Sequence, residues 1–182
     1  MRVTQLPASP LQLLQELDRR SRMHAQPLPQ QLEVKVTWDG VGFRLGEYQL
    51  VAEMSQVKEI LTHVSLCRLP GVKPWVKGVA NVRGNLLPIL DLSGLVLDET
   101  SRMTRRSRVL VLQHRGVHAG LVVDEVLGMR HFLEEELSES VERLPSTMQK
   151  YASGIYRQGG DSWGVLDIHR LSEMPEFMAA AA

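Results

Sequence analysis

Cysteine is almost absent from this sequence, and Cys67 is the only one. A single cysteine excludes an intramolecular disulfide and a CxxC metal or redox motif. No apolar run approaches the roughly 18 residues that a membrane span requires, and the N-terminus lacks the apolar stretch of a signal peptide. We therefore expect a cytoplasmic protein that does not insert directly into the membrane.

Net charge is absent as well, because 21 lysines and arginines balance 21 aspartates and glutamates. Nucleic-acid-binding domains usually carry a basic excess, so the balance argues against that function. One basic cluster nevertheless stands out, at Arg102, Arg105, Arg106 and Arg108. A β-barrel nucleic-acid-binding protein that uses this Arg102–Arg108 loop is the alternative that the sequence leaves open.

Motifs for catalysis and cofactor binding are also missing. Ser65, Cys67 and the Asp167-x-His169 pair have suitable side chains, but no nucleophile elbow surrounds them. No Walker or Rossmann glycine pattern is present. His114 and His118 are four residues apart, but a turn at Arg115-Gly116 separates them. We therefore expect no enzymatic activity, no cofactor and no metal site, and a small hydrolase is the least favoured class.

The N-terminal segment has the pattern of an amphipathic helix. Ser9 and Pro10 suit an N-cap and a first helical position, and leucines follow at helical spacing at positions 11, 13, 14 and 17. The helix is predicted to end near Met23, before a Pro/Gln linker at 26–31. Residues 1–31 are thus assigned to a helix and linker, and the leucines are expected to dock on this domain or on a partner.

Short strands dominate the remainder of the chain. Alternation over Leu32–Trp38 predicts a strand, Asp39-Gly40 predicts a hairpin turn, and Gly46-Glu47 predicts a second turn. Further strands are predicted at 43–45, 48–52, 78–82, 86–90, 109–113, 117–123 and 162–166. A weak helical pattern with an acidic face covers 132–144 and indicates either an inserted helix or an acidic loop. This density of short strands is typical of small barrels or a sandwich.

An internal repeat is the most informative feature. Residues 75–95 align without a gap on residues 151–171, 76 positions later. The coinciding positions are Gly78 and Gly154, Gly84 and Gly160, Leu90 and Leu166, Asp91 and Asp167, and Leu95 and Leu171. Upstream, Val57–Leu61 resembles Val123–Leu127. The repeat predicts two similar small barrels in one intertwined domain, with each aspartate capping a short helical turn.

The repeat also carries a family resemblance. Val57-Lys-Glu-Ile60, Leu69-Pro70, the run from Gly78 to Leu92 and the run from Gly120 to Val126 resemble the CheW-like domain of bacterial chemosensory coupling proteins. The resemblance implies a mostly β fold of two five-stranded SH3-like barrels over residues 32–175, followed by a tail at 176–182. An N-terminal helix ahead of a single such domain is similar to the coupling proteins of the type IV pilus, or twitching motility, system.

The resemblance further implies a non-enzymatic adaptor that binds a chemoreceptor tip and the regulatory domain of a histidine autokinase. It assigns partner binding to Val57, Glu59, Ile60, Asn81, Val82, Arg83 and Gly84. The residues alone favour a solvated turn arginine at position 83 or an internal bond from Arg83 to Glu59. The matching arginine of the family is a coupling residue, so we expect Arg83 to contact a partner.

Overall fold

The computed structural model describes residues 9–24, 36–114, 116–175 and 177. The chain divides into two units, Met1–Lys35 and Val36–Ala182. In the first unit, the predicted helix is present as α1 (Pro10–His24). Ser9 caps it, because the Gln12 N–H donates to Ser9 Oγ at 3.4 Å. Leu11, Leu13, Leu14 and Leu17 are 46–65% exposed, and their docking remains a prediction.

The second unit consists of twelve strands and three short helices among the residues described. The strands are β1 (Thr37–Leu45), β2 (Tyr48–Glu53), β3 (Val57–Leu61), β4 (Leu66–Cys67), β5 (Val76–Val82), β6 (Asn85–Asp91), β7 (Arg108–His114), β8 (Val117–Val123), β9 (Glu125–Leu133), β10 (Leu137–Ser138), β11 (Ala152–Gln158) and β12 (Asp161–Leu166). The helices are α2 (Leu92–Val96), α3 (Ser146–Gln149) and α4 (Ile168–Ser172), and single 3-10 turns lie at Met54–Gln56 and Glu134–Glu136.

The strands form two sheets of six, which confirms the mostly β fold class. The first sheet has the order β10-β11-β12-β2-β1-β9 and the second has the order β3-β7-β8-β6-β5-β4. Each sheet encloses its own apolar cluster, with Trp163 and Phe132 in the first and Ile89 and Val111 in the second. The largest cluster draws on both sheets and on the short helices, and it forms the core between the two barrels.

The predicted repeat over 75–95 and 151–171 is confirmed. The bounds of β11, β12 and α4 follow those of β5, β6 and α2 by 76 residues, except that β12 ends at Leu166, one residue earlier than this offset gives. Both hairpins have a register shift at the same place, between Val76 and Gly78 and between Ala152 and Gly154. Glycine is required at position 78, where φ is +134° and a Cβ would lie 2.3 Å from the Cys67 carbonyl oxygen.

The upstream part of the predicted repeat is wrong by three residues. β3 pairs with β7, and Val57 and Glu59 lie opposite Leu112 and Val111 on either side of a bulge. β9 makes the same bulged pairing with β1, but there the residues beside the bulge are Val126 and Gly128. The counterpart of Glu59 in the first sheet is therefore Gly128. The resemblance between Val57–Leu61 and Val123–Leu127 does not reflect equivalent positions.

The predicted turn at Asp39-Gly40 is also wrong, because both residues lie inside β1. Glycine occurs there for close packing, since a Cβ on Gly40 would lie 2.5 Å from the side chains of Trp38 and Val51. The second predicted turn, at Gly46-Glu47, is confirmed and connects β1 to β2. In the predicted strand Leu32–Trp38, positions 32–35 lie outside the described residues, and β1 begins at Thr37.

Three other segments differ from expectation. β9 was not predicted, because it is an edge strand whose burial does not alternate. The segment predicted as an acidic helix or loop instead completes β9 and then forms a 3-10 turn and the two-residue strand β10. Phe177, assigned to the tail from sequence, is fully buried in the core.

The two predicted aspartate caps are present, but their surroundings differ. Asp91 is fully buried, and its carboxylate accepts hydrogen bonds from the Ser93 N–H, the Ser101 N–H and the Ser101 hydroxyl. Lys77 Nζ lies 2.8 Å from Asp91 Oδ2 and also donates to the Ser101 carbonyl. Asp167 accepts from the His169 and Arg170 N–H groups and pairs with the half-exposed Arg170 guanidinium at 3.2 Å.

This difference predicts unequal costs for the same substitution. Asp91→Ala should lower the free energy of unfolding by about 3–5 kcal/mol, since it leaves Lys77 and three donors without their acceptor in a buried place. Asp167→Ala should cost only about 1 kcal/mol, the usual value of an exposed N-cap. Urea denaturation of both variants measures the two costs. Equal losses of unfolding free energy would contradict the conclusion that Asp91 is a buried acceptor on which several groups depend.

Candidate partner-binding site

The turn between β5 and β6 holds the residue expected to contact a partner. Val82 pairs with Asn85, so Arg83 and Gly84 form a two-residue hairpin turn. Their φ angles are +53° and +88°, as in the type I′ turns that favour asparagine or glycine. The Asn81 side-chain oxygen accepts the Gly84 N–H at 2.9 Å. Arg83 therefore adopts a left-handed conformation that costs a residue with a Cβ about 1–2 kcal/mol.

Arg83 makes an ion pair with Glu59, which is the internal contact that was one of the two alternatives for this arginine. Arg83 Nη2 lies 2.8 Å from Glu59 Oε2, and the two side chains are 80% and 17% exposed. Glu59 lies on β3, at one edge of the second sheet, and β7, β8 and β6 separate that strand from β5. The pair thus joins an edge strand to a hairpin turn that is not its hydrogen-bonding neighbour, while most of the arginine remains in contact with solvent.

The first sheet has neither member of this pair. The turn between β11 and β12 contains Gly159 and Gly160, at φ +62° and +93°, where the second sheet has Arg83 and Gly84. The position equivalent to Glu59 is occupied by Gly128. The same barrel architecture therefore forms without the acid and without the arginine. The ion pair is an addition to one barrel and is not a requirement of the fold.

The other predicted site residues divide between two faces. Val82 packs against the apolar cluster inside the second sheet. The bulge in β3 places Val57 and Ile60 on the face that carries Leu110 and Leu112, opposite to Glu59. Ile60 is 41% exposed there. Asn81 and Gly84 share the turn with Arg83. Five of the seven predicted residues therefore lie at or beside the ion pair, while Val57 and Ile60 lie on the other face of β3.

The sequence analysis missed one exposed apolar residue beside the turn. Leu86 is 73% exposed and lies directly opposite Asn81 in the β5–β6 ladder. Its neighbours Leu87 and Ile89 are fully buried inside the second sheet. The alternation of a strand places Leu86 on the outer face. The sequence signal for this residue is the alternation along β6: if Leu87 and Ile89 face inward, Leu86 must face outward.

Glu125 does not take part in a comparable site. It lies opposite Arg44 in the β1–β9 ladder, and Arg44 Nη2 is 2.7 Å from Glu125 Oε2. The hydrogen bond from this guanidinium lowers the pKa of Glu125 below its ordinary value, against an opposing contribution from desolvation. The pair ties the edge strand β9 to β1.

The arginine-rich loop has a structural explanation for one of its members. Arg108 begins β7, and its Nη1 donates to the carbonyls of Arg105, Arg106 and Ser107. Thr104 and Ser107 hydrogen-bond to each other across the loop. Among the described residues, no group of three or more histidine, cysteine, aspartate or glutamate side chains is placed to hold a metal ion. Within the same part of the chain, no helix has the length and hydropathy of a bilayer span.

The two-barrel fold, with the Glu59–Arg83 ion pair at the hairpin turn of one barrel, indicates the class to which the protein belongs. The model of the CheW-like domain matches residues 39–176, and the chain belongs to this family. It is 44% identical to the protein PilI of Pseudomonas aeruginosa over 173 residues, which span 95% of this chain and 97% of that relative. It is 23% identical to the chemotaxis protein CheW of Bacillus subtilis over 81% of this chain and 95% of the relative.

A solved structure agrees with the fold. The scaffolding protein TtCheW from Thermoanaerobacter tengcongensis superposes with a TM-score of 0.69 at 22% identity. The match covers 78% of this chain and 96% of that protein. At this identity the comparison supports the fold alone. The three relatives are named for chemotaxis, scaffolding or PilI, and nothing in these names supports the alternative of nucleic-acid binding.

If the ion pair is an addition to the fold, removing Arg83 should not destabilise the barrel. In Arg83→Gly, the relief of the left-handed arginine, about 1–2 kcal/mol, offsets the loss of an exposed ion pair worth about 0–1 kcal/mol and the greater freedom of glycine in the unfolded chain. The free energy of unfolding should stay within about 1 kcal/mol of the unaltered protein.

The reciprocal variant is the control. Gly159→Arg introduces an arginine at the equivalent turn, where Gly128 offers no acid, and should cost about 1–2 kcal/mol. Chemical denaturation measures both changes. A loss greater than about 2 kcal/mol in Arg83→Gly, well above the value of an exposed pair, would show that the ion pair holds the second barrel together.

Proposed function

We propose that this protein is a non-enzymatic cytoplasmic adaptor that couples chemoreceptors to a histidine autokinase in a chemosensory array at the inner membrane. The extensive identity to PilI supports a role in type IV pilus twitching motility. The observation that carries the proposal is the Glu59–Arg83 pair, which one barrel has and its twin lacks. The fold does not need Arg83, and its left-handed conformation is unfavourable for an arginine. Its presence there points to a functional role.

The chemistry of the site fits protein recognition. Glu59 uses one edge of the Arg83 guanidinium and orients it, while the exposed remainder has donors for a carboxylate or a backbone carbonyl. Leu86 adds exposed apolar surface beside the turn, and Val82 packs beneath it inside the sheet. A planar cation beside apolar groups is the usual composition of an interface hot spot. Val57 and Ile60 lie on the opposite face of β3, where the half-exposed Ile60 would contact a partner separately from the Arg83 surface.

Such an adaptor acts without catalysing a reaction. A scaffold changes a kinase's activity only through different affinities for the kinase's active and inactive arrangements, and the coupling is reciprocal between its binding sites. The proposed partners are the cytoplasmic tip of a chemoreceptor and the regulatory domain of the kinase. Both partners would bind to one folded unit, whose two sheets share a common core.

The proposal predicts that Arg83→Ala weakens binding of at least one partner. We expect a loss of more than about 1 kcal/mol of binding free energy, as for a hot-spot arginine, with a change in unfolding free energy within about 1 kcal/mol. Isothermal titration against the receptor's cytoplasmic fragment and the kinase's regulatory domain measures the first, and thermal denaturation measures the second.

Two further variants make the result specific. Arg157→Ala removes an exposed arginine near the twin turn of the first sheet and should leave both affinities unchanged. Glu59→Gln should weaken binding less than Arg83→Ala, because Glu59 orients the arginine. Unaltered affinity of Arg83→Ala for both partners would exclude this face as the coupling site.

A further inference from the structure

A second surface on the second barrel is unlike its counterpart on the first. An open groove of about 470 Å³ lies on the outer face of β5 and β6. Its walls include Leu69, Val72, Trp75, Val79 and Pro88, and Lys73 lies at its rim. Leu69 and Val72 are 41% and 40% exposed. The groove contains none of the seven residues assigned to the Arg83 site.

The duplication shows that this face is covered in the other copy. Trp75, Val79 and Pro88 are half-buried, whereas their counterparts 76 positions later, Tyr151, Ile155 and Gly164, are buried. The chain itself supplies the cover, because Leu144 and Met148 are 7% and 0% exposed in the core. A Cβ added to Gly164 would lie 3.0 Å from Leu144 Cδ1, so the leucine rests directly on this strand.

The length of one linker accounts for the difference. β4 and β10 pair with equivalent positions of β5 and β11, since Cys67 lies opposite Val79 and Ser138 opposite Ile155. The following linker is residues 68–75 in the first copy and residues 139–151 in the second. The longer linker forms α3 and brings Leu144 and Met148 over the sheet. The shorter linker has no residues to do so, and the groove stays open.

The charge around the groove indicates what fills it. Leu69 and Val76 are shared with an adjoining depression that is also lined by Arg68, Lys77 and Arg102. Asp91 neutralises Lys77, but Arg68, Lys73 and Arg102 are exposed. Of the described residues that line the two depressions, none is acidic. The site therefore combines an apolar floor with a basic rim.

We propose that the groove is a second protein-binding site for a helical segment of a partner that carries two apolar side chains four residues apart and acidic residues beside them. On the equivalent face of the first barrel the cover is Met148 of the short helix α3 together with Leu144, which lies just before the helix and four residues from Met148. The acidic flank complements Arg68, Lys73 and Arg102. This site lies on the same outer face of β5 and β6 as Leu86, but it uses none of the residues proposed for the Arg83 site.

A pair of synthetic helical peptides tests the site directly. One contains a leucine and a methionine four residues apart among alanines and glutamates, and the other replaces every glutamate by lysine. The protein is labelled with 5-fluorotryptophan, which gives one fluorine signal for each of its 3 tryptophans, and Trp75→Phe identifies the signal from the groove. The acidic peptide should shift the Trp75 signal in a saturable manner, and the basic peptide should not.

Variants locate the binding. Val72→Glu should weaken the acidic peptide at least about tenfold, since it removes apolar surface and repels the flank. It should not change the melting temperature, because Val72 is exposed. Lys73→Glu should weaken binding less and reduce its salt dependence. The control is Met129→Glu, at a residue that is 58% exposed on β9 of the other sheet, and it should leave the affinity unchanged.

Several outcomes would overturn the proposal. They are an unshifted Trp75 signal at millimolar acidic peptide, an equal shift with the basic peptide, and equal effects of Val72→Glu and Met129→Glu. Sedimentation velocity tests the other possible occupant, a second copy of this chain. Self-association of the unaltered protein that Val72→Glu abolishes would assign the groove to a second copy of this chain and would exclude a helical segment of a partner as its occupant.

Discussion

The parallel pairing of β12 with β2 holds the two ends of the folded unit together. Its register joins Trp163–Leu166 to Gln49–Ala52, and β6 joins β8 in the same way within the second sheet. Every other strand pair in the described part of the chain is antiparallel. Each sheet is therefore two hairpins joined by one parallel contact, with one further strand at each edge. A lone hairpin is marginal in water, so the buried faces of all four depend on these two contacts.

The duplication separates what the fold requires from what the function has added. Both copies keep the aspartate before the short helix, although Lys77 supplies the cation to Asp91 and Arg170 supplies it to Asp167. The requirement is a capped turn, and either source of positive charge satisfies it. In contrast, the Glu59–Arg83 pair and the uncovered groove occur in the second barrel only. Two barrels with one backbone plan thus present different surfaces to their surroundings.

Much of this architecture was readable from the sequence, since glycines, aspartates and leucines recur at fixed spacing in strands that share a local structure. The failures have physical causes. Gly40 was read as a turn residue, but it is a glycine because the Trp38 and Val51 side chains fill the place of its Cβ. The acid of the ion pair was matched to Glu125, because sequence similarity cannot show which residues face each other across a ladder. The groove depends on the difference in length between the linkers that follow β4 and β10, and these two-residue strands must be located before the linkers can be compared.

The second sheet lies entirely within one continuous stretch of chain, from β3 to β8, whereas the first sheet takes strands from both sides of that stretch. During synthesis, all strands of the second barrel are available once Val123 has left the ribosome. The hairpin of β1 and β2 is made earlier but must wait for Leu166 before its parallel partner exists. The barrel that emerges first is thus completed last, and its hairpin stays open to chaperones or to neighbouring nascent chains in the interval.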